Sequence, residues 1–165
     1  MIENKTGIAI VPGSFDPITN GHLNIVKRAA ERYCKVYLAV MINPSKKYMF
    51  TISQREAIAK AAVCDIKNVE VISSEGMLWE LAKALGAEAI VKGYRNDKDL
   101  EYEKEMAKFN SSHYPNAKTV LLEAENGLVN MSSTVVREMI KNHSSLDGIL
   151  PENAIIEINK IIDGQ

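Results

Sequence analysis

The chain has 165 residues and a mass of 18.3 kDa, the size of one ordinary globular domain. Hydrophobic residues make up 46% of it and charged residues 25%, which excludes a disordered, collagen-like or coiled-coil chain. The 20 Lys and Arg residues against 21 Asp and Glu residues give a net charge of -1, so the chain lacks the positive excess typical of a binder of nucleic acids or anionic membranes.

Short β-branched runs alternate with longer helical patterns along the chain. The strands are predicted at 7–11, 36–42, 69–72, 89–91 and 119–122. Helices are predicted at 21–33, 78–85, 97–110, 132–142 and 152–162. A further helix is predicted to begin at Ser53, where a capping pattern starts. The inward stripe of the 97–110 helix is predicted to consist of Leu100, Met106 and Phe109.

This alternation predicts an α/β fold, a single Rossmann-like doubly wound domain over residues 1–165 with a five-stranded, mostly parallel sheet. Such sheets bind ligands beyond the carboxyl ends of their strands, where the strand order reverses. The candidate loops are therefore 12–21, 43–50, 73–77, 92–97 and 123–131.

The two cysteines are too few for a disulfide framework and have no metal-binding spacing. Cys34 and Cys64 lie among apolar or helical neighbours, so we interpret both as small buried hydrophobic side chains. The first residues do not resemble a signal peptide, and the longest apolar run, 36–42, is far too short to span a membrane. We expect a cytoplasmic protein.

The loop after the first strand carries the strongest sign of chemistry. It has the sequence PGSFDPITNGH over residues 12–22, without a dinucleotide GxGxxG or a Walker GK[ST] pattern. Backbone N–H groups at the start of the next helix attract anions, Gly21 allows close approach, and His22 can donate to a phosphate oxygen. A histidine at a helix start is more often a surface cap, but its position after the first strand favours the phosphate role.

Two motifs carry a resemblance to the nucleotidyltransferase superfamily. Residues 19–22 (TNGH) resemble its (T/H)xGH signature, and residues 131–137 (MSSTVVR) resemble the ISSTxxR element that closes over a triphosphate. Hydroxyls and amides at a helix start suit anionic oxygens, although an ordinary N-cap with Arg137 as a solvated charge explains the second motif alone. Further matching stretches extend the resemblance, over nearly the whole chain, to the phosphopantetheine adenylyltransferase family: PSKK at 44–47, MFT at 49–51, KGYR at 92–95, DLEYE at 99–103 and LPE at 150–152.

The resemblance implies adenylyl transfer from ATP to 4'-phosphopantetheine, which yields dephospho-coenzyme A and pyrophosphate in coenzyme A biosynthesis. The acceptor phosphate attacks the α-phosphate in line, so that neither a covalent intermediate nor a general base is needed. It also implies a homohexamer and Mg²⁺ bound mainly through the ATP phosphates. Asp16 is interpreted as a turn former rather than as a metal ligand.

The resemblance also assigns roles to residues. His22 is expected to be catalytic, as the stabiliser of the transition state. The residues expected to bind the acceptor substrate are Ser14, Lys46, Leu78 and Lys92. Those expected to bind ATP are Ser14, Phe15, His22, Gly93, Tyr94, Arg95, Glu103, Leu128, Val129, Asn130, Met131, Ser132, Ser133 and Thr134.

Plainer interpretations stay open for several of these residues. Lys46 and its neighbour could be solvated lysines on a turn, Leu78 a core leucine, and Glu103 part of a solvated helix face. Two departures from the family pattern are Lys92, where arginine is usual, and residues 128–130, which lack an aromatic residue.

Two alternative functions remain. A nicotinate or nicotinamide mononucleotide adenylyltransferase would share both signatures, but the 44–47 and 101–103 segments argue against it. A nucleotide-sensing module without turnover would be favoured by the two departures.

Overall fold

The computed structural model describes residues 4–129 and 131–165. The strands of that part are β1 Ile8–Gly13, β2 Lys35–Met41, β3 Val69–Ser74, β4 Ala89–Tyr94 and β5 Lys118–Glu123. Its helices are α1 Asn20–Arg32, α2 Ile52–Ala62, α3 Leu78–Leu85, α4 Asp97–His113, α5 Ser133–Lys141 and α6 Glu152–Asp163. All the predicted strands and helices are confirmed, with ends that shift by up to three residues.

The strands form one sheet in the order β3-β2-β1-β4-β5, and each neighbouring pair in it is parallel. The α/β prediction is thus confirmed, and the described sheet is parallel throughout rather than mostly so. The strand order reverses between β1 and β4, where Ile10 pairs with Ile90. A crevice is therefore expected beyond the carboxyl ends of these two strands.

Alternate residues of the central strands face two apolar layers. The larger core contains Ala9 and Val11 of β1 and is covered by α1, α2, α5 and α6. Ile10, which lies between them, belongs to a smaller core with α3 residues. Because both faces of β1 are covered, its sequence is apolar without alternation, as is usual for a parallel strand.

Helix α2 begins earlier than its capping pattern predicted. The Thr51 hydroxyl accepts a hydrogen bond from the Gln54 amide (3.2 Å), and the Gln54 side chain accepts one from the Thr51 amide (3.0 Å). This reciprocal pair satisfies two amides at the helix start, so Thr51 is the N-cap and Ser53 lies inside the helix.

Two predictions about burial are wrong. Cys34 and Cys64 are both exposed, because each lies just after a helix end at the surface. Phe109 is 39% exposed, and Asn110 is the buried residue of α4. This helix covers β4 and β5 at the edge of the sheet, where there is less surface to bury an apolar stripe. No helix of the described residues is long and apolar enough to cross a membrane.

Candidate active site

A cavity of about 850 Å³ opens at the carboxyl ends of β1 and β4, where the strand order reverses. Its walls come from the loops after β1 and β2, the end of β4, the first turns of α4 and the start of α5. Most of the predicted site residues line it: Ser14, Phe15, His22, Lys46, Lys92, Gly93, Tyr94, Arg95, Glu103, Leu128, Met131, Ser132, Ser133 and Thr134.

Three predicted site residues are not part of this wall. Leu78 packs against the smaller core beside α3, as its plainer interpretation expected, and Val129 is 38% exposed outside the cavity lining. Asn130 lies outside the described residues. The predicted contacts of these three residues with substrates stay predictions.

The cavity wall is strongly biased towards positive charge. Six Lys or Arg side chains line it, Lys46, Lys47, Lys92, Arg95, Lys98 and Arg137, against three carboxylates, Asp16, Asp99 and Glu103. A cleft lined by one sign of charge concentrates ligands of the opposite sign. A chain with a net charge of -1 can therefore still attract polyanions at this one place.

The side chain of His22 is held in one orientation at the start of α1. The Thr19 amide donates to His22 Nδ1 at 3.1 Å, and the Thr19 hydroxyl accepts from the His22 amide at 3.4 Å. Because Nδ1 is an acceptor here, the proton of the neutral ring lies on Nε2. The edge of the ring packs against Phe15, with ring centroids 5.1 Å apart. Thr19 had no predicted role beyond its place in the TNGH motif, yet its amide sets this tautomer.

Burial, followed by the nearby positive charge of Arg95, lowers the pKa of His22 to about 4. At neutral pH the imidazole is therefore neutral. Its Nε2–H is a donor in this form, and no proton has to be gained before it can bind an anionic oxygen.

The two signature motifs contact one another directly. The Thr19 hydroxyl donates to the Met131 carbonyl at 3.1 Å, and the Ser133 hydroxyl donates to the Pro17 carbonyl at 2.8 Å. Ser132 caps α5 by accepting from the Val135 amide. These bonds hold the starts of α1 and α5 on one side of the cavity, so that the unpaired amides of two helix ends share one space.

Arg137 is not a solvated charge. Its guanidinium donates to the Asp16 carbonyl at 2.8 Å and to the Thr134 hydroxyl at 3.1 Å, and it lies 3.7 Å from the Asp16 carboxylate. Arg137 therefore fixes α5 to the loop after β1. Sequence reasoning missed this role because 121 residues separate Arg137 from Asp16.

Asp16 is more than a turn former. Its buried carboxylate accepts hydrogen bonds from the amides of Met49 (2.9 Å) and Phe50 (3.0 Å), and its side chain is 3% exposed. These bonds attach the end of the 43–50 loop to the loop after β1. A carboxylate that accepts two backbone amides cannot turn to a metal ion without leaving both amides unpaired.

Arg55 of α2 is a buried arginine that lies outside every motif quoted for the family resemblance. Its Nη1 donates to the carbonyls of Ser14 (2.7 Å) and Met41 (3.1 Å). Its guanidinium carbon lies 3.9 Å from the centroid of the Tyr48 ring. Arg55 therefore lies beneath both loops that carry the predicted substrate contacts.

The positive charges near the end of β4 are partly neutralised by acids of α4. Lys92 Nζ lies 3.0 Å from Glu103 Oε2, although this oxygen accepts no well-aligned hydrogen bond from the described residues. Arg95 pairs with Asp99 at 3.4 Å. The predicted acceptor contact of Lys92 and the predicted ATP contact of Glu103 thus belong to one ion pair.

Gly93 is required by packing within the protein. A Cβ atom at this position would lie 3.0 Å from Cγ1 of Ile25 in α1, which is tighter than ordinary contact. The family resemblance assigns Gly93 to the ATP site, and that contact stays a prediction. Here the absence of a side chain lets α1 lie close to the end of β4, and this brings His22 and Lys92 onto the same cavity.

No cluster of three or more His, Cys, Asp or Glu side chains able to hold a metal ion occurs in residues 4–129 and 131–165. The three carboxylates of the cavity each face a partner already: backbone amides for Asp16, Arg95 for Asp99 and Lys92 for Glu103. A metal ion in this cavity would depend mainly on ligand oxygens and water.

Comparison with known proteins identifies the family. The cytidylyltransferase-like family model matches residues 10–139, which include α1, most of the sheet and most of α5. The phosphopantetheine adenylyltransferases of Streptococcus pyogenes serotypes M5 (strain Manfredo), M49 (strain NZ131) and M1 are each 40% identical to the chain over 157 residues, covering 94% of this chain and 96% of theirs. The chain belongs to the phosphopantetheine adenylyltransferase family.

This membership confirms the family predicted from the motifs. In this member of the family, His22, the hydroxyls of residues 132–134 and Lys46 of the 43–50 loop line the same cavity. Sequence reasoning missed the roles of Thr19, Arg55 and Arg137, which bind protein groups around the cavity. Thr19 and Arg137 belong to the two signature motifs, whereas Arg55 belongs to none of the quoted stretches. For Arg55, the signal in the sequence is a charged side chain within an otherwise apolar helical stripe, three residues before the buried Ile58.

Proposed function

We propose that the chain transfers the adenylyl group of ATP to 4'-phosphopantetheine and releases dephospho-coenzyme A and pyrophosphate. The observation that carries this proposal is that the start of α1 and the loop after β2 bring His22 and Lys46 to one cavity with twice as many cations as carboxylates. Both substrates are polyanions that repel each other, so bringing them together requires this kind of cavity. The names and near full-length similarity of the relatives supply the substrate class.

The reaction needs no nucleophile from the protein. An oxygen of the acceptor phosphate forms a bond to the α-phosphorus of ATP, and the bond from that phosphorus to the bridging oxygen breaks as pyrophosphate leaves. Positive charge and hydrogen-bond donors aimed at the transferring group then account for most of the catalysis. The neutral His22 ring, with its Nε2 proton, is suited to donate to an α-phosphate oxygen that gains charge in the transition state.

The two sides of the cavity suit different substrates. We assign the β- and γ-phosphates of ATP to the starts of α1 and α5, where Ser132, Ser133 and Thr134 stand beside free helix amides. We assign the acceptor phosphate to Lys46, which comes from the 43–50 loop across the cavity. Arg95 and Glu103 are assigned to the nucleotide, as the family resemblance implies. Leu78 is retained as a predicted pantetheine contact.

Mg²⁺ is proposed as the counter-ion of the triphosphate. When bound, it would neutralise charge on the departing pyrophosphate. The protein side chains fit an ion held mainly by substrate, because Asp16, Asp99 and Glu103 each have a protein partner.

We also propose a cytoplasmic homohexamer. Two exposed free thiols, Cys34 and Cys64, are compatible with a reducing compartment. Exposed Met77, Tyr102 and Phe109 on or beside α3 and α4 offer apolar surface that assembly could cover. Sedimentation equilibrium tests the assembly, and a monomer at micromolar concentration contradicts it.

The deciding experiment measures pyrophosphate release from ATP with three acceptors in parallel. We expect release with 4'-phosphopantetheine and product of the mass of dephospho-coenzyme A. Release with nicotinamide or nicotinate mononucleotide instead would contradict the acceptor assignment. ATP binding without release with any of the three would indicate a sensing module.

A further inference from the structure

Arg55 places a permanent positive charge beneath the cavity, and its residue is 2% exposed. Its Nη1 donates to two backbone carbonyls, Nε has no partner within the described residues, and no carboxylate there lies within 4 Å. Burial lowers the pKa of the Arg55 guanidinium, and the Tyr48 hydroxyl and Asp16 oppose that shift. Burying an arginine without a carboxylate partner is costly, so a merely structural role would be better served by an apolar side chain.

The contacts of Arg55 lead by short steps to Lys46. Its guanidinium stacks on the Tyr48 ring, and the Tyr48 hydroxyl accepts a hydrogen bond from the Asn43 amide at 2.7 Å. Asn43 also holds the tight turn that carries Lys46. Its side chain accepts from the Ser45 amide at 3.0 Å, and its carbonyl accepts from the Lys46 amide at 3.0 Å. The 43–50 loop is thus held by hydrogen bonds between its own residues, and its Tyr48 ring packs on the Arg55 guanidinium.

The electrostatics of Tyr48 reflect the same cluster. Burial raises the pKa of its hydroxyl, but hydrogen bonds with Asn43 and Ser14 and the charges of Arg55 and Lys46 outweigh that effect and lower the pKa overall. The Lys46 ammonium is therefore near enough to Tyr48 to influence it.

We propose that Arg55 is a positioning residue for the acceptor phosphate, because it seats the Tyr48 ring and the Ser14 carbonyl so that Lys46 faces the cavity. The inference rests on the proposed function, since it needs an acceptor that carries a phosphate. Arg55 itself lies under the cavity wall, so it acts through Lys46 and the loop.

The test is a double-mutant cycle on acceptor binding, measured by calorimetry with 4'-phosphopantetheine and with pantetheine. Arg55→Lys keeps the charge but loses the flat surface that stacks on Tyr48. We expect it to raise the Kd for phosphopantetheine about tenfold, the scale of one weakened charge-assisted hydrogen bond. The Kd for pantetheine should change less than twofold. In a Lys46→Ala background, Arg55→Lys should change the Kd for phosphopantetheine less than twofold.

Other results would overturn the inference. They are an equal rise of the Kd in both backgrounds, an equal rise for pantetheine, or an unchanged affinity for phosphopantetheine in Arg55→Lys. A matched control is Arg28→Lys, since Arg28 of α1 also donates to a strand-end carbonyl, that of Glu123, at 2.9 Å. Arg28→Lys should leave the acceptor Kd within twofold.

A second variant guards against misfolding of Arg55→Lys. Tyr48→Leu removes the stacked ring from a partly exposed position and should reproduce the selective rise in the phosphopantetheine Kd. An unchanged Kd in Tyr48→Leu would overturn the proposed route through the ring. A wild-type protein that binds phosphopantetheine no better than pantetheine would overturn the proposed function together with this inference, whereas the results of the cycle concern Arg55 alone.

Discussion

The two sides of the cavity are built in different ways. On the nucleotide side, formed by Thr19 to His22 and residues 131–134, the chemical groups stand at helix starts, and each cap is made by bonds between residues three apart. The Thr19 and Ser133 hydroxyls then join the two helix starts by donating to the carbonyls of Met131 and Pro17. On the other side, the 43–50 loop is held by the Asp16 carboxylate, which is 33 and 34 residues away from the Met49 and Phe50 amides that it binds, and by Arg55, which lies against the Tyr48 ring.

The comparison indicates that substitutions on the two sides should have different effects. A local helix cap keeps its geometry when one ligand-facing group is removed, so a loss there should be confined to chemistry. A loop without regular structure depends on a few long-range bonds, so its geometry should be lost together with them.

The largest expected effect is on the nucleotide side. His22→Ala should lower kcat by about 10²–10⁴-fold, the scale of losing a donor to the transition state. Dissociation constants for both substrates, measured by calorimetry, should change far less, since the caps around His22 remain. A kcat equal to that of the wild type would contradict the role of His22.

On the loop side, Lys46→Ala should weaken phosphopantetheine binding by about tenfold to a hundredfold, the loss of one charge-assisted hydrogen bond. Pantetheine has no phosphate, so its Kd should be unaffected. Lys47→Ala is the matched control, because the neighbouring lysine also lines the cavity but is not assigned to the phosphate. Equal losses with both ligands would indicate a distorted loop instead of a missing contact.

The junction between the two sides is Asp16. Asp16→Ala leaves the buried amides of Met49 and Phe50 without an acceptor, so we expect the free energy of unfolding to fall by about 2 kcal/mol or more. The KM for the acceptor should rise as well, because the 43–50 loop loses its anchor. Urea denaturation measures the first effect and steady-state kinetics the second.

Asp163→Ala, at an exposed position at the end of α6, is the control for Asp16 and should stay within about 0.5 kcal/mol of the wild type. A stable Asp16→Ala protein with a normal acceptor KM would show that the loop is held by other contacts.

The difference between the two sides also explains what the sequence could predict. The strands and helices of the described residues were predictable because apolar periodicity and helix caps are local patterns. The roles of the nucleotide-side residues came from the family resemblance of two short motifs, and they stay predictions. The bonds of Arg55 to Ser14 and of Arg137 to Asp16 were not, because nothing in a local pattern says which distant carbonyl a basic side chain will reach. The predicted burial of Cys34 and Cys64 was wrong for a related reason, since these helix ends lie at the surface although their sequence neighbours are apolar or helical.

The protonation of His22 gives a smaller effect that reports on the nucleotide side alone. Its pKa is lowered to about 4 in the folded chain from an ordinary value of 6.5, so between these values the unfolded chain binds a proton that the folded chain does not. The free energy of unfolding contributed by His22 is therefore present above pH 6.5 and is lost as the pH falls towards 4.

Urea denaturation of the wild type and of His22→Ala between pH 7.5 and 4.5 checks this. The wild type should lose more stability than the variant over that range, because His22 is the one titratable group in which the two proteins differ. ATP should raise the pKa of His22, since its phosphates offset the charge of Arg95, and an NMR titration of the histidines with ATP measures that shift. Parallel pH dependence of the two proteins would contradict the pKa of His22.

The smallest expected effect concerns Lys92, which stands where the family pattern usually has arginine. Lys92 is paired with Glu103 at 3.0 Å, so its ammonium is already placed at the end of β4 and the charge facing the cavity is the same as with arginine. Lys92→Arg should therefore change kcat and both KM values by less than about threefold, since arginine adds a forked donor but no net charge. Lys92→Met leaves the Glu103 carboxylate unpaired in the cavity. It should therefore raise the KM for ATP or for the acceptor several times more than Lys92→Arg does. If Lys92→Arg instead improved kcat/KM by more than tenfold, the forked geometry rather than the charge would be what this position supplies.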